Sequence, residues 1–259
     1  MMIRTIWRMI PAAMAVFVMA PSRAADLAAK AVNAAPDMIP ADATWSGCTI
    51  GLEGGGTQGS SRHVANSPDP AINGMPITNT FSLSGGLVGA AAGCNYQVNR
   101  LVFGIENDFS WTNLRGTAPD MAPFSTMNSS QTSAKWLDTL RGRAGFAWGH
   151  SMLYATGGAA FTSTAANICD ITTGACVSNA RTRSGWVAGA GIEVAMLSDV
   201  SLKLEYLHAD FGSQSYFNTQ VALGQVTVIT RNVRLTEDIV RAGINWRFTS
   251  FSGMIAGGP

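Results

Sequence analysis

Acidic and basic residues recur in this chain at alternate positions. Glu106 and Asp108 are separated by one residue, as are Arg141 and Arg143, and Lys203 and Glu205; Glu53, Glu193, Arg241 and Arg247 sit in similar short runs. A spacing of two puts both members of a pair on one face of a β-strand. Carboxylates and guanidinium groups gathered this way could form a catalytic or ion-conducting array, or could neutralise one another as structural ion pairs. Structural pairing is the default use of such a network.

Other reactive types give less. His63, His150 and His208 would serve a hydrolase only if a serine and an acid converged on one of them. His63 is read in a loop, His150 in a turn and His208 near a strand end, with no such set in view. Gly54-Gly55-Gly56 is not a phosphate loop, because no helix follows it. No C-x-x-C or histidine pair accompanies the four cysteines, which speaks against a metal site. No catalytic residue, cofactor or metal is therefore expected.

The elements that must position these charges follow from composition and pattern. The chain has 259 residues, 28 glycines, 13% charged residues and a net charge of +1. Charge is about half the usual share of roughly 25%, and no basic footprint for nucleic acid exists. Arg4 and Arg8, an apolar stretch over residues 9–20 and the small-x-small run Ser22-Arg23-Ala24 read as a signal peptide over residues 1–24. The apolar stretch is too short to span a bilayer, which takes about 20 residues. Residues 25–44 lack periodicity and read as a flexible lead-in. No later segment could be a membrane helix, so a mature chain in a membrane must be a closed barrel.

From Trp45 the sequence alternates apolar and polar residues, the signature of strands. Eight are expected, over residues 46–57, 83–97, 100–112, 135–148, 151–162, 183–196, 200–210 and 232–248. Connections near Val98-Asn99, Gly149-His150 and Leu197-Ser198 are tight. The others are read as polar loops on the order of 18 to 25 residues. Short turns alternating with long loops are the rhythm of an outer-membrane barrel, with both termini on the periplasmic side.

The two faces of these strands differ. One carries Ile50, Leu52, Val88, Phe103, Ile105, Leu140, Leu153, Ile192, Leu204 and Ile244, with Asn107, Asp138 and His208 as polar exceptions. The other gathers glycines and charges. Arg or Lys at mid-bilayer costs roughly 2–4 kcal/mol, so the charged face must line the lumen. Its acids are Glu53, Glu106, Asp108, Glu193 and Glu205, and its bases Arg141, Arg143, Lys203, Arg241 and Arg247. Neighbouring strands suggest the pairs: Glu106 and Asp108 with Arg141 and Arg143, Glu193 with Lys203, Glu205 with Arg241, and Glu53 with Arg241 or Arg247. An eight-stranded barrel is just wide enough for side chains to fill, so a salt-bridged, plugged lumen is expected. Trp45, Tyr96, Trp148, Trp246 and Phe248 form one aromatic girdle, and Trp111, Trp136 and Trp186 the other.

An even cysteine count in an oxidising compartment favours disulfides. Cys169 and Cys176 flank six loop residues and are expected to bridge. Cys48 and Cys94 fall on adjacent strands, both outward; a cross-strand bridge and two free thiols are both open readings.

An ordered set of motifs carries a family likeness. Trp45-Ser46-Gly47 opens the barrel, followed by Gly93-Cys94-Asn95-Tyr96-Gln97 and Gly104-Ile105-Glu106-Asn107-Asp108-Phe109. Leu140-Arg141-Gly142-Arg143-Ala144-Gly145, Leu153-Tyr154-Ala155-Thr156-Gly157-Gly158, the run from Gly185 to Glu193 and Lys203-Leu204-Glu205-Tyr206-Leu207 come next. Arg241-Ala242-Gly243-Ile244-Asn245-Trp246-Arg247-Phe248 closes the series. The chain resembles the small alphaproteobacterial outer-membrane barrels, the porin-like, opacity-type family with surface antigens of Brucella and rhizobia. The resemblance covers residues 45–248. It implies an all-β, eight-stranded transmembrane barrel in the outer membrane of a Gram-negative bacterium, surrounded by outer-membrane lipid and handled by the barrel assembly machinery. Two departures stand out. The family usually ends at the terminal phenylalanine, whereas Phe248 is followed by a tail over residues 249–259, and Cys48 and Cys94 replace aromatics.

The expected role is structural or surface-interacting, with no catalysis and with loops free to contact extracellular ligands. A narrow diffusion porin is the alternative.

Overall fold

A computed structural model describes residues 43–217, 222–223, 226–227 and 229–248. The signal peptide, nearly all of the lead-in and the tail after Phe248 lie outside the described residues.

Among the described residues eleven strands form in chain order: β1 (Gly47–Ala65), β2 (Phe81–Val98), β3 (Leu101–Thr112), β4 (Arg115–Pro119), β5 (Asn128–Trp148), β6 (Ser151–Asp170), β7 (Cys176–Ala195), β8 (Val200–Tyr216), β9 (Ala222–Leu223), β10 (Val226–Thr227) and β11 (Arg231–Phe248). All pairings are antiparallel. β4 continues β3 beyond a break at Asn113-Leu114, and β9 pairs with β10 as a separate ribbon. The ring runs β1-β2-β3-β5-β6-β7-β8-β11 and closes on β1. The closing seam pairs Cys48 with Phe248 and continues to Ala65 with Arg231. Closure leaves no unpaired edge, which backbone groups in hydrocarbon require.

Three connections are tight. Asn99 (φ 56°) and Gly149 (φ 54°) take left-handed conformations in two of them, where asparagine and glycine are the tolerated residues. At the other end the expected loops shrink. β5, β6 and β7 run 20–21 residues, about twice the 9–11 a tilted strand needs to span a bilayer. The β6–β7 connection is therefore only residues 171–175. These outer extensions read as loops because lipid no longer enforces alternation there, while the backbone ladder continues regardless. His63 is corrected in the same way: it lies in β1, not in a loop.

The face assignment follows from exposure. Ile105, Val88 and Leu52 are 65%, 63% and 61% exposed on the outer wall. The inward side holds the buried residues. At the tight-turn end Trp45, Val102, Ala147, Met152, Tyr154 and Ala195 cluster. Toward the loop end a second apolar cluster includes Leu87, Leu137, Val187, Leu207 and Ile239. The expected lumen charges other than Arg247 lie between the two.

Candidate functional site: a charge network across the barrel

Strand alternation delivers nine of the ten expected side chains to one level, each buried. Arg141 on β5 donates from Nη2 to Glu106 Oε1 (2.6 Å) and Asp108 Oδ2 (2.9 Å), and from Nη1 to Glu205 Oε1 (2.8 Å). Arg143 reaches Glu106 Oε2 at 3.1 Å and Glu193 Oε2 at 2.7 Å, and its guanidinium lies 4.4 Å from the centre of the Tyr154 ring. Arg241 on β11 forks onto Asp108, with 2.7 and 3.0 Å contacts, and onto Glu205 Oε2 at 2.7 Å; it also bonds Glu53. Two-pronged guanidinium–carboxylate contacts are the strong form of this interaction.

Lys203 departs from the expected pairing. It stands opposite Glu193 in the β7–β8 register, yet its Nζ donates to Glu106 Oε1 at 2.9 Å and lies 3.3 Å from Glu53 Oε2. Glu193 instead takes Arg143, the Ser201 hydroxyl (2.5 Å) and the Asn245 amide (2.9 Å). β3 and β8 are four steps apart in a ring of eight, so Lys203 and Glu106 meet across the full diameter. Pairing by strand adjacency fails because in so narrow a barrel the opposite wall is as near as the next strand.

Arg247 lies apart from the network. It is partly exposed at the tight-turn end, where its guanidinium bonds the carbonyl of Ser198 in the β7–β8 turn. Five carboxylates therefore face four cations.

Neutral residues complete the layer and were not singled out from the sequence. The Tyr154 hydroxyl donates to Glu205 Oε1 at 2.9 Å, and Thr139 donates to Asp108 Oδ2 at 2.6 Å while accepting from Arg141 Nε at 2.9 Å. The readable signal was position: both alternate with wall residues and must point inward.

The outer end holds a second polar group. Arg231 pairs with Asp120 at 2.9 Å, and the Ser130 hydroxyl donates to Asp120 Oδ1 at 2.5 Å. His63 Nε2 lies 2.9 Å from Thr132 Oγ1. Burial, with Arg231 and Arg183 nearby, holds the His63 imidazole down at about 3. At the β6–β7 tip, Cys169 and Cys176 are bridged, and the amides of Thr172 and Thr173 cap Asp170 (2.7 and 3.1 Å) and lower its carboxyl below the ordinary range. Cys48 and Cys94, direct register partners, are bridged as well.

The polar exceptions on the wall satisfy one another. Asn107 donates to Asp138 Oδ1 at 2.8 Å; the Tyr206 hydroxyl (2.6 Å) and His208 Nδ1 (2.8 Å) both meet Asp238 Oδ1.

Residues 12–248 match the family model described as outer membrane protein beta-barrel domain. The chain is 30% identical over 220 residues to a 31 kDa outer-membrane immunogenic protein of Brucella melitensis, covering 83% of this chain and 88% of the relative. It is 27% identical over 124 residues to a 22 kDa outer membrane protein of Rhizobium leguminosarum, covering 48% of this chain and 52% of the relative. Among solved structures, the outer membrane protease OmpT of Escherichia coli superposes with a TM-score of 0.50 at 7% identity, covering 79% of this chain and 98% of that one. At that identity the likeness concerns fold alone.

Proposed function

Because this chain belongs to the outer membrane protein β-barrel family and lies in that membrane, we propose that it is a structural and surface-interacting barrel whose lumen is plugged and which catalyses no reaction. The carrying observation is the 2.9 Å contact between Lys203 and Glu106 across the barrel's diameter. A water-filled passage at that level would have to break this ion pair together with the Arg141 and Arg241 contacts around it. Parting a buried pair leaves an uncompensated charge, at a cost on the order of 3–5 kcal/mol. Apolar side chains on either side fill part of the lumen above and below that level.

A hydrolase reading finds no support among the described residues. His63 meets Thr132 and His208 meets Asp238, and neither set joins a serine and an acid on one imidazole.

Planar-bilayer conductance tests the proposal. The protein is expected to give no stable open-channel current. A steady unitary conductance would support the narrow-porin alternative and overturn the plugged lumen.

A further inference from the structure

On the outer wall, Arg62 of β1 and Arg234 of β11 stand directly opposite each other in the closing seam. Both side chains point away from the lumen and are exposed. Like charges directly opposite on neighbouring strands repel and destabilise a sheet. Asp210 Oδ2 engages Arg234 at 3.0 Å, and no described side chain bonds Arg62. Arg115 on β4, two strands from β1 in the ring, is likewise outward and exposed, and so is Lys135 on β5, across the barrel from β11.

Their height is informative. Arg62 lies fourteen residues beyond Cys48, Arg234 fourteen before Phe248, Arg115 fourteen beyond Leu101 and Lys135 thirteen before Trp148. The outer aromatics lie lower, with Trp186 nine, Trp111 ten and Trp136 twelve residues from the same ends of their strands. A tilted strand clears the hydrocarbon in 9–11 residues. The tryptophans therefore mark the interface, and the four cations sit just outside it, at headgroup level.

We propose that Arg62 and Arg234 form a clamp for the phosphate groups of outer-leaflet lipid. An anion between the two guanidinium groups removes their mutual repulsion, and phosphate oxygens match the guanidinium fork. The seam pair sets two cations against the carboxylate of Asp210. Basic residues near an anionic lipid surface contribute about 1 kcal/mol each, or about fivefold in affinity.

The test uses the purified, folded protein in phosphatidylcholine nanodiscs doped with lipid A carrying two phosphates, or with the same lipid A dephosphorylated. Bound lipid is read by native mass spectrometry, and folding by the electrophoretic mobility of the unheated barrel. The protein is expected to prefer the phosphorylated form, and raising the salt is expected to weaken that preference. Arg62→Ser with Arg234→Ser should reduce the preference tenfold or more. Asp210→Asn, which frees Arg234 of its competing carboxylate, should increase it, a gain that misfolding cannot produce. Arg100→Ser, at the opposite end of the barrel, should leave it unchanged. Equal binding of both lipid A forms by the unaltered protein would overturn the clamp, as would an unchanged preference in the folded double variant. Occupancy by millimolar inorganic phosphate that excludes phosphorylated lipid A would overturn the assignment to lipid.

Discussion

Gly55 faces Arg241 across the β1–β11 seam so closely that a Cβ on Gly55 would sit 2.6 Å from the arginine Cα and 2.1 Å from the carbonyl oxygen of Val240. The arginine that binds Glu53, Asp108 and Glu205 thus relies on a missing side chain opposite it. Gly158 stands in the same relation to Arg141, with 2.7 Å to its Cα. Gly55→Ala is expected to lower unfolding stability by about 1–3 kcal/mol, the usual cost of overpacking. Gly56→Ala, one residue on and facing open space, should be neutral or slightly stabilising, because it restricts the unfolded chain. Chemical denaturation in detergent measures both, and equal effects would refute the close-approach argument.

The network should behave as one unit. Arg241→Met leaves five buried carboxylates facing three cations and is expected to cost about 3–5 kcal/mol. A double-mutant cycle of Glu106→Gln and Arg141→Met should show a coupling of about 0.5–3 kcal/mol, whereas additive losses would mean the contacts are incidental. Five carboxylates share four cations, so removing one negative charge at Glu53 should cost less than doing so at Asp108, which is forked by Arg241 and also held by Arg141. Comparing Glu53→Gln with Asp108→Asn by denaturation midpoint checks this ranking.

The outer end should loosen in acid. His63 is held at about 3 in the folded state, against about 6.5 when exposed. Its folded value is depressed, so above pH 6.5 neither state binds the proton and nothing is lost. Below pH 6.5 the opened state takes up the proton first, and stability of this region falls until about pH 3. At pH 4.5 the loss is expected to reach about 2–3 kcal/mol. Hydrogen exchange at the outer end of β1 should accelerate accordingly, and His63→Gln should remove the acceleration.

The two disulfides should differ in value. The Cys48–Cys94 bridge closes a separation of 46 residues and the Cys169–Cys176 bridge one of 7. On the chain-entropy account, removing the first should cost about 4 kcal/mol and the second about 2.5. Paired Cys→Ser variants compared by denaturation test the order; a larger loss from Cys169 and Cys176 would show that loop rigidity, not unfolded-chain restriction, sets their contribution.

The sequence alone determined which face of each strand meets lipid, where the tight turns fall and that the charges point inward. Each of these is a local consequence of period-two alternation and of the cost of a charge in hydrocarbon, readable within ten residues of any position. The tertiary structure decided the rest. Which carboxylate Lys203 chooses depends on the diameter of the closed ring, a property of all eight strands together. Arg247 sits on the lumen face by alternation, yet it is diverted by a turn carbonyl whose place is fixed only when β7 and β8 pair. The outer parts of β5, β6 and β7 form strands although their polar residues read as loops, because backbone hydrogen bonding persists where lipid no longer imposes a pattern on the side chains.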